Sequence, residues 1–590
     1  MRNDPHSYAD ATQRGVEHVR WTVSVDLDRR VLDAVGVLHL GPGSGPVDLD
    51  TRDLQLHRVD DGRDGDDHLL AYTLDEPDPV LGSRLRVQPT GDVVRITYAT
   101  VPSSTALQWL TPEQTADGTH PYVYSQSQTI HARSMLPVPD SPAARFTYEA
   151  EVDVPADFTV LMAAVAGEVT ERAGRRTFRY RQEHPVPAYL VALAAGVVTS
   201  RDLSPRSRVW AESSVIEAAA WEFAGVEELL GAAEQVLGPF PWARADLLLM
   251  PPSYPYGGME NPGLMYLTPT LVAGDRSLVG VLAHEIVHHW TGDTVTCASL
   301  EHFWLNEGLT VFGERKVTAL VQGPEVAEIQ AAVGRANLED DLRYLVDRPG
   351  LTRLRLDLGG LDPDVTSSWA ALEKGYLFVR AVELAAGAEA FAGFLRTYVT
   401  DHAFRSLTSE EFVAYARERL DPAVSATLDW AVWLHGTGLP PGTPDTDSPA
   451  LRELRALGDT LPDPVVAAGW SPDHWQAYLA QLGEPAEPGL LAALDDAYDL
   501  TRTGNHDVLS AWLLLGLRSR YAPAVDATVA LVSRMGRLKD LKTLYVALAE
   551  RDDTRALARS TFAENRGRYH HIAVGVVEAR LRAIDEGAHA

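Results

Sequence analysis

Hydrophobic positions recur at every second residue through the first third of the chain. In "WTVSVDL", Trp21, Val23, Val25 and Leu27 fall on one face, and in "FTYEAEVDV" so do Phe146, Tyr148, Ala150 and Val152. Gly and Pro punctuate these runs. A period of two bounded by turn residues is the pattern of half-buried antiparallel strands, so the chain from about residue 20 to 200 is predicted to form sheet. Beyond about residue 210 the spacing turns helical. "SSVIEAAAWEFAGVEELLGAAEQVLG" carries apolar residues at helical intervals and ends on a Gly. "GTGLPPGTPDTDSP" reads as a linker. After it, "DVLSAWLLLGLRSRY" and "APAVDATVALVSRM" predict short helices in series, an α-solenoid-like layer.

The expected architecture is a multidomain α+β chain. It comprises a β-sheet domain over 1–199, a helix-rich domain over 200–438, a linker over 439–450 and a helical domain over 451–590. A chain of 590 residues is too long for one core, which agrees with about three domains.

Composition narrows the function. The 82 acidic residues outnumber the 52 basic ones, giving a formal net charge of −30. That argues against a nucleic-acid partner, which needs clustered Lys and Arg. Cys297 is the only cysteine, so an internal disulfide and a thiolate zinc site are excluded and a reducing compartment fits. "MRNDPHSYADATQRG" lacks the apolar core of a signal peptide. No apolar run approaches the ~18–20 residues of a membrane helix. A cytoplasmic monomer with no membrane partner is expected.

The chemistry concentrates in "SLVGVLAHEIVHHW". Ser277 is placed to cap a helix, on which His284 and His288 stand four apart and share a face. Two imidazoles so placed can bind one metal ion, and Glu285 beside them can take a proton from water. In "HFWLNEGLTVF", Glu307 follows His288 after eighteen intervening residues and starts another apparent helix. A His–His–Glu set leaves one coordination position for water, the arrangement of catalytic zinc. Glu314, two helical turns on, is a candidate to support a ligand, and Asp293 a weaker one. His289 and His302 read as packing or hydrogen-bonding residues. Upstream, "PPSYPYGGMENPGLMYLTPT" offers Gly257 and Gly258 for close backbone approach and Glu260 as a further carboxylate.

Together "GGMEN" and HExxH followed by eighteen residues and Glu resemble the gluzincin (peptidase family M1) zinc aminopeptidases. The wider similarity is to the leukotriene hydrolase/aminopeptidase branch, and it extends through "YSQSQTIHARSMLP", "LDPDV", "EKG" and "WLHGTGLPP". The resemblance implies a β-saddle, a thermolysin-like zinc catalytic domain and a C-terminal helical domain around a deep substrate channel. It implies one zinc on His284, His288 and Glu307, with Glu285 as general base and acid. Glu260 and Gln128 would hold a free amine, with Tyr256, Gly257, Gly258 and Met259 lining the first residue of a peptide. Asp364 is implied as a catalytic residue that places water in epoxide opening. Lys542 falls where the family has an Arg for a substrate carboxylate.

One departure matters most. The family has a Tyr before "EKG", and here Leu372 stands in the substrate-contacting position without a donor. Tyr376, four residues on, is the candidate replacement, about 5.4 Å along a helix axis. Ser367 is a second departure. Three functions stay open: a zinc aminopeptidase, a zinc epoxide hydrolase or cyclase acting on a small molecule, and a zinc-binding protein with little catalysis.

Overall fold

A computed structural model describes residues 4–587 except Ser367, so the departure at that position lies outside the described residues. The predicted alternation appears as strands. In Val16–Asp26, Trp21, Val23 and Val25 are buried while Thr22 and Ser24 face water. Leu27 lies just past the end of that strand. Arg145–Pro155 buries Phe146, Tyr148, Ala150 and Val152 in the same way.

Both strands lie in a seven-stranded sheet. Its order is Val165–Arg172, Arg175–Pro187, Arg145–Pro155, Val16–Asp26, Val31–Leu40, Val93–Ala99, Gln55–Asp60. The sheet is not wholly antiparallel as expected. Val16–Asp26 and Arg145–Pro155 pair in parallel, Trp21 opposite Ala150. The chain between them makes three more strands of this sheet, the whole of a three-stranded sheet and two strands of a four-stranded one before returning, and such a long excursion permits a parallel neighbour.

The loop "SQSQTIHARSMLP" leaves this domain towards the centre of the molecule. Fully buried Arg133 pins it. Its guanidinium donates to Asp140 Oδ2 at 3.0 Å, to the Leu81 carbonyl at 2.7 Å and to the His6 carbonyl at 2.7 Å. A buried charge needs such a full set of partners. The loop thereby delivers Gln128, Thr129 and His131 to the interior.

The central domain joins a five-stranded sheet to helices. The sheet ends in the short edge strand Gly258–Met259, antiparallel to Leu264–Leu267. The helix Val279–His288 carries the HExxH residues, and Trp304–Val321 carries Glu307 and Glu314. Ser277 does not cap the first helix. The capping position is Leu278, and the Ser277 hydroxyl donates instead to Asp275 at 2.5 Å.

"EKG" is explained by packing. Ala370–Lys374 is a π-helical turn leading into the helix Gly375–Ala386. Glu373 receives Arg315 Nη2 at 2.7 and 2.9 Å, and Lys374 Nζ donates to the carbonyls of Thr352 and Gly436 at 2.9 and 2.7 Å. A Cβ on Gly308 would meet Gly375 Cα at 2.6 Å, and one on Gly375 would meet Gly308 Cα at 2.8 Å. The helix bearing Glu307 thus touches the helix after Leu372 backbone to backbone.

The C-terminal part is a series of helices from Pro449–Ala456 to His571–Asp585. Ser448 caps the first, with Pro449 at its first turn, so the end of the predicted linker already starts this layer. Its core, with Trp512, Leu544 and Tyr545 buried, is separate from the core around Ile286, Trp304 and Phe378. No helix among the described residues is long and apolar enough to cross a membrane.

Gly375→Ala tests the helix contact. Alanine in a helix is intrinsically favoured by about 1 kcal/mol, but backbone atoms cannot yield as a flexible side chain can. The expected result is a net loss of about 1–3 kcal/mol in thermal unfolding, with weaker zinc retention as Glu307 shifts. Native-like melting and zinc content would contradict it.

Candidate active site

The three predicted metal ligands converge. His284 and His288 Nε2 are 3.0 Å apart, and Glu307 Oε2 lies 3.5 and 3.7 Å from them. Each imidazole is oriented from behind. His284 Nδ1 faces Glu314 Oε2 at 3.0 Å, and His288 Nδ1 faces the Thr291 carbonyl at 3.0 Å. Burial opposes protonation of His284, but without a metal Glu307 and Glu314 hold it above its ordinary range. With each Nδ1 beside an acceptor, the neutral rings would carry their protons there and turn both Nε2 lone pairs to one shared point. Two lone pairs at that distance repel unless a cation lies between them. Two imidazoles on a tetrahedral zinc place their nitrogens about 3.3 Å apart, so the donor set fits the ion. Burial pushes His288 down to about 3, which keeps it in the neutral form a metal requires.

Carboxylates crowd the same place. Burial first, then neighbouring acids, holds Glu285 well above the ordinary carboxylate range, against the attraction of His284. Burial and Glu307 push Glu260 to about 7. Carboxylates crowded onto one cavity wall fit a site built for a divalent ion and a cationic ligand, whose charge would restore their ionised forms. Glu285 reaches this position because Gly258 has no side chain: a Cβ there would lie 2.3 Å from Glu285 Oε1.

A cavity of about 740 Å³ opens onto these groups, walled by all three domains. Gln128, Tyr256, Gly257, Gly258, Glu260, Asp364, Leu372 and Lys542 line it together with the ligand set and Glu285. Gln128 Nε2 donates to Glu260 Oε1 at 3.2 Å. Asp364 receives Thr129 Oγ1 at 2.7 Å and His131 Nε2 at 2.8 Å. Burial opposes its charge, but these two partners hold it down to about 2.

Some expectations are corrected. Met259 does not line the cavity. Strand alternation turns it into the core, where its sulfur accepts from Gln126 Nε2 at 3.2 Å. Tyr376 does not line it either. Its ring lies under Arg315, whose Cζ is 3.9 Å from the ring centre. The π-turn holds more residues than an α-turn, so Tyr376 is not stacked one regular turn above Leu372. Asp293 has neither carboxylate oxygen bonded to a ligand His, whereas Glu314 does support His284. His289 bonds the Glu285 carbonyl at 3.1 Å and His302 the Ser409 hydroxyl at 3.0 Å, as packing residues do.

Other cavity residues escaped the sequence reading. Arg537 and Lys539 line the wall beside Gly257 and share Asp507 at 3.0 and 3.7 Å. The stretch "GRLKDLK" holds Arg537, Lys539 and Lys542 alike, and local spacing does not distinguish them. His131 and Thr129 lay inside a quoted motif without a role.

Comparison with known proteins agrees with this geometry. The peptidase family M1 domain matches residues 221–433, the peptidase M1 N-terminal domain 88–190, and the leukotriene A4 hydrolase C-terminal domain 470–581. Leukotriene A-4 hydrolase of Xenopus laevis is 33% identical across 96% of this chain and 97% of that protein. The chain belongs to peptidase family M1, in its leukotriene A4 hydrolase branch. Leucine aminopeptidase 2 of Sclerotinia sclerotiorum is 32% identical over 99% of this chain and all 100% of that one. The structure of yeast leukotriene A4 hydrolase in complex with bestatin superposes with a TM-score of 0.91 at 27% identity, covering 98% and 97% of the two chains. An M1 zinc metallopeptidase from Deinococcus radiodurans shares the fold over 73% of this chain and 96% of its own, with TM-score 0.57 and 21% identity. This M1 chain is therefore a three-domain zinc metallohydrolase.

Glu314→Ala removes the acceptor behind His284. Zinc affinity is expected to fall about 10–100-fold in chelator competition. An unchanged affinity would show that Glu314 does not orient the ligand.

Proposed function

We propose that this chain is an aminopeptidase-type exopeptidase whose turnover is slowed by Leu372. The observation that carries the reading is the Gln128–Glu260 pair at 3.2 Å, set in the cavity wall beside the His–His–Glu group. A buried carboxylate partners a substrate ammonium, and a capped N-terminus would forfeit that charge-assisted bond. The Gly257–Gly258 segment gives an extended peptide a bare backbone to approach. Zinc on His284, His288 and Glu307 supplies Lewis acidity towards water and the scissile carbonyl. Glu285 takes the proton from the attacking water and returns it to the departing amine. The oxyanion that develops on the carbonyl finds no hydroxyl at Leu372. Loss of one such donor costs ~10²–10³ in rate.

A second reading rests on Asp364. Both its oxygens are engaged by Thr129 and His131, and it faces the cavity as an oriented anion. In an epoxide hydrolase or cyclase it would aim water or an internal nucleophile at a small electrophile, chemistry in which the missing hydroxyl matters less.

Aminoacyl arylamides separate the readings. Weak, chelator-sensitive release of arylamine is expected from free-amine substrates and none from N-acetylated ones. Leu372→Tyr should raise kcat by about 10²–10³. Silence from both native and Tyr-bearing proteins would sink the exopeptidase reading and turn attention to epoxides. Glu285→Gln should keep its zinc and lose turnover; residual turnover near the native level would remove Glu285 from its assigned role.

A further inference from the structure

Among the described residues, two carboxylates that line the cavity receive no hydrogen bond and meet no cationic nitrogen within 4.0 Å: Glu285 and Asp473. The proposed hydrolysis uses Glu285. The fold gives Asp473 no task. It stands in the first turn of the helix Pro472–Gln481, but that helix is capped by Ser471, whose hydroxyl accepts from the His474 backbone N–H. The acids around Asp473 are already partnered, Asp507 by Arg537 at 3.0 Å and Glu314 by His284 at 3.0 Å.

Burial first, then Asp507 and Glu314, lifts the Asp473 carboxyl to about 7, against the pull of Lys539 and Arg315. An acid so placed is stabilised by a cation brought within hydrogen-bond reach. Gln476 stands about one helical turn on and lines the same cavity. Its side-chain amide has no partner among the described residues, so its oxygen is free to accept beside the carboxylate. One carboxylate and one amide do not make a metal site. Among the described residues, the only His, Cys, Asp and Glu group at metal-binding spacing is His284, His288 and Glu307. An ammonium or guanidinium, with several N–H donors for two acceptors, fits instead. That cation is not the N-terminal amine. Gln128 and Glu260, which would hold the amine, belong to the other two domains, and Glu260 is not among the charges that act most on Asp473.

We propose that Asp473, with Gln476, selects a basic side chain, lysine or arginine, at the second or third residue of a peptide whose free amine sits at Glu260. The inference rests on the exopeptidase reading and adds a substrate class to it.

The test uses the zinc-loaded full-length chain carrying Glu285→Gln, which stops cleavage, and calorimetric binding of tripeptides in pairs. Each pair sets lysine against norleucine, a side chain of similar length without the ammonium, at one of the three positions. At the second or third position lysine should bind about 10-fold tighter than norleucine. The gap should narrow with added salt. Asp473→Asn should close it and Asp473→Glu should keep part of it, with zinc content and melting temperature measured on each variant to separate lost recognition from lost fold. Equal affinity for lysine and norleucine at both positions, with the peptides still bound, would overturn the subsite and leave the exopeptidase reading standing. So would a gap that survives Asp473→Asn, or one confined to the first residue. Failure of every free-amine peptide to bind would overturn the exopeptidase reading and the subsite with it.

Discussion

Electrostatic crowding around one buried point organises this molecule. The Nε2 atoms of His284 and His288 and the carboxylates of Glu260, Glu285, Glu307 and Glu314 all face one cavity. Such a set is tenable only around positive charge: a metal ion at the imidazoles, and an ammonium at Glu260. The surrounding fold keeps the set from relaxing apart. Gly308 against Gly375 fixes the helix of Glu307, Gly258 admits Glu285, and Arg133 anchors the loop that brings Gln128.

The same rigidity gives the Leu372 departure its weight. The π-turn places Leu372 on the cavity wall, while Arg315 holds the Tyr376 ring outside the lining. Asp364, in contrast, is fully organised by residues of another domain. In the proposed reading the site keeps its base, its ligand set and its amine anchor, and changes the group that would meet the developing oxyanion. That combination favours a slow peptidase or an enzyme turned to a different electrophile over a dormant scaffold.

What was legible in the chain was whatever depends on local periodicity. The strands of the first domain followed from alternation, and the imidazole pair followed from i,i+4 spacing on one helix. Glu314 was within reach of the same argument, because it lies two turns beyond Glu307. What was not legible depends on through-space company. The parallel pairing of Val16–Asp26 with Arg145–Pro155 needs a return of the chain that no local pattern encodes. Recognising Arg537 beside Lys542 requires knowing which side of a helix start faces Gly257. The spacing of Tyr376 from Leu372 suggests one α-helical turn where a π-turn occurs, and alternation in the edge strand turns Met259 away from the cavity. Ser277 had the right residue type for a cap, but Asp275 claimed its hydroxyl.

The most direct measurement is zinc-edge X-ray absorption on the purified chain, with metal content determined on the same sample. The account predicts one zinc per chain in a four-coordinate nitrogen and oxygen shell, with two imidazoles at about 2.0–2.1 Å and no sulfur. Glu307→Gln should alter the oxygen part of that shell. A metal-free protein that binds no added zinc, or an ion whose shell lacks the two imidazoles, would contradict it.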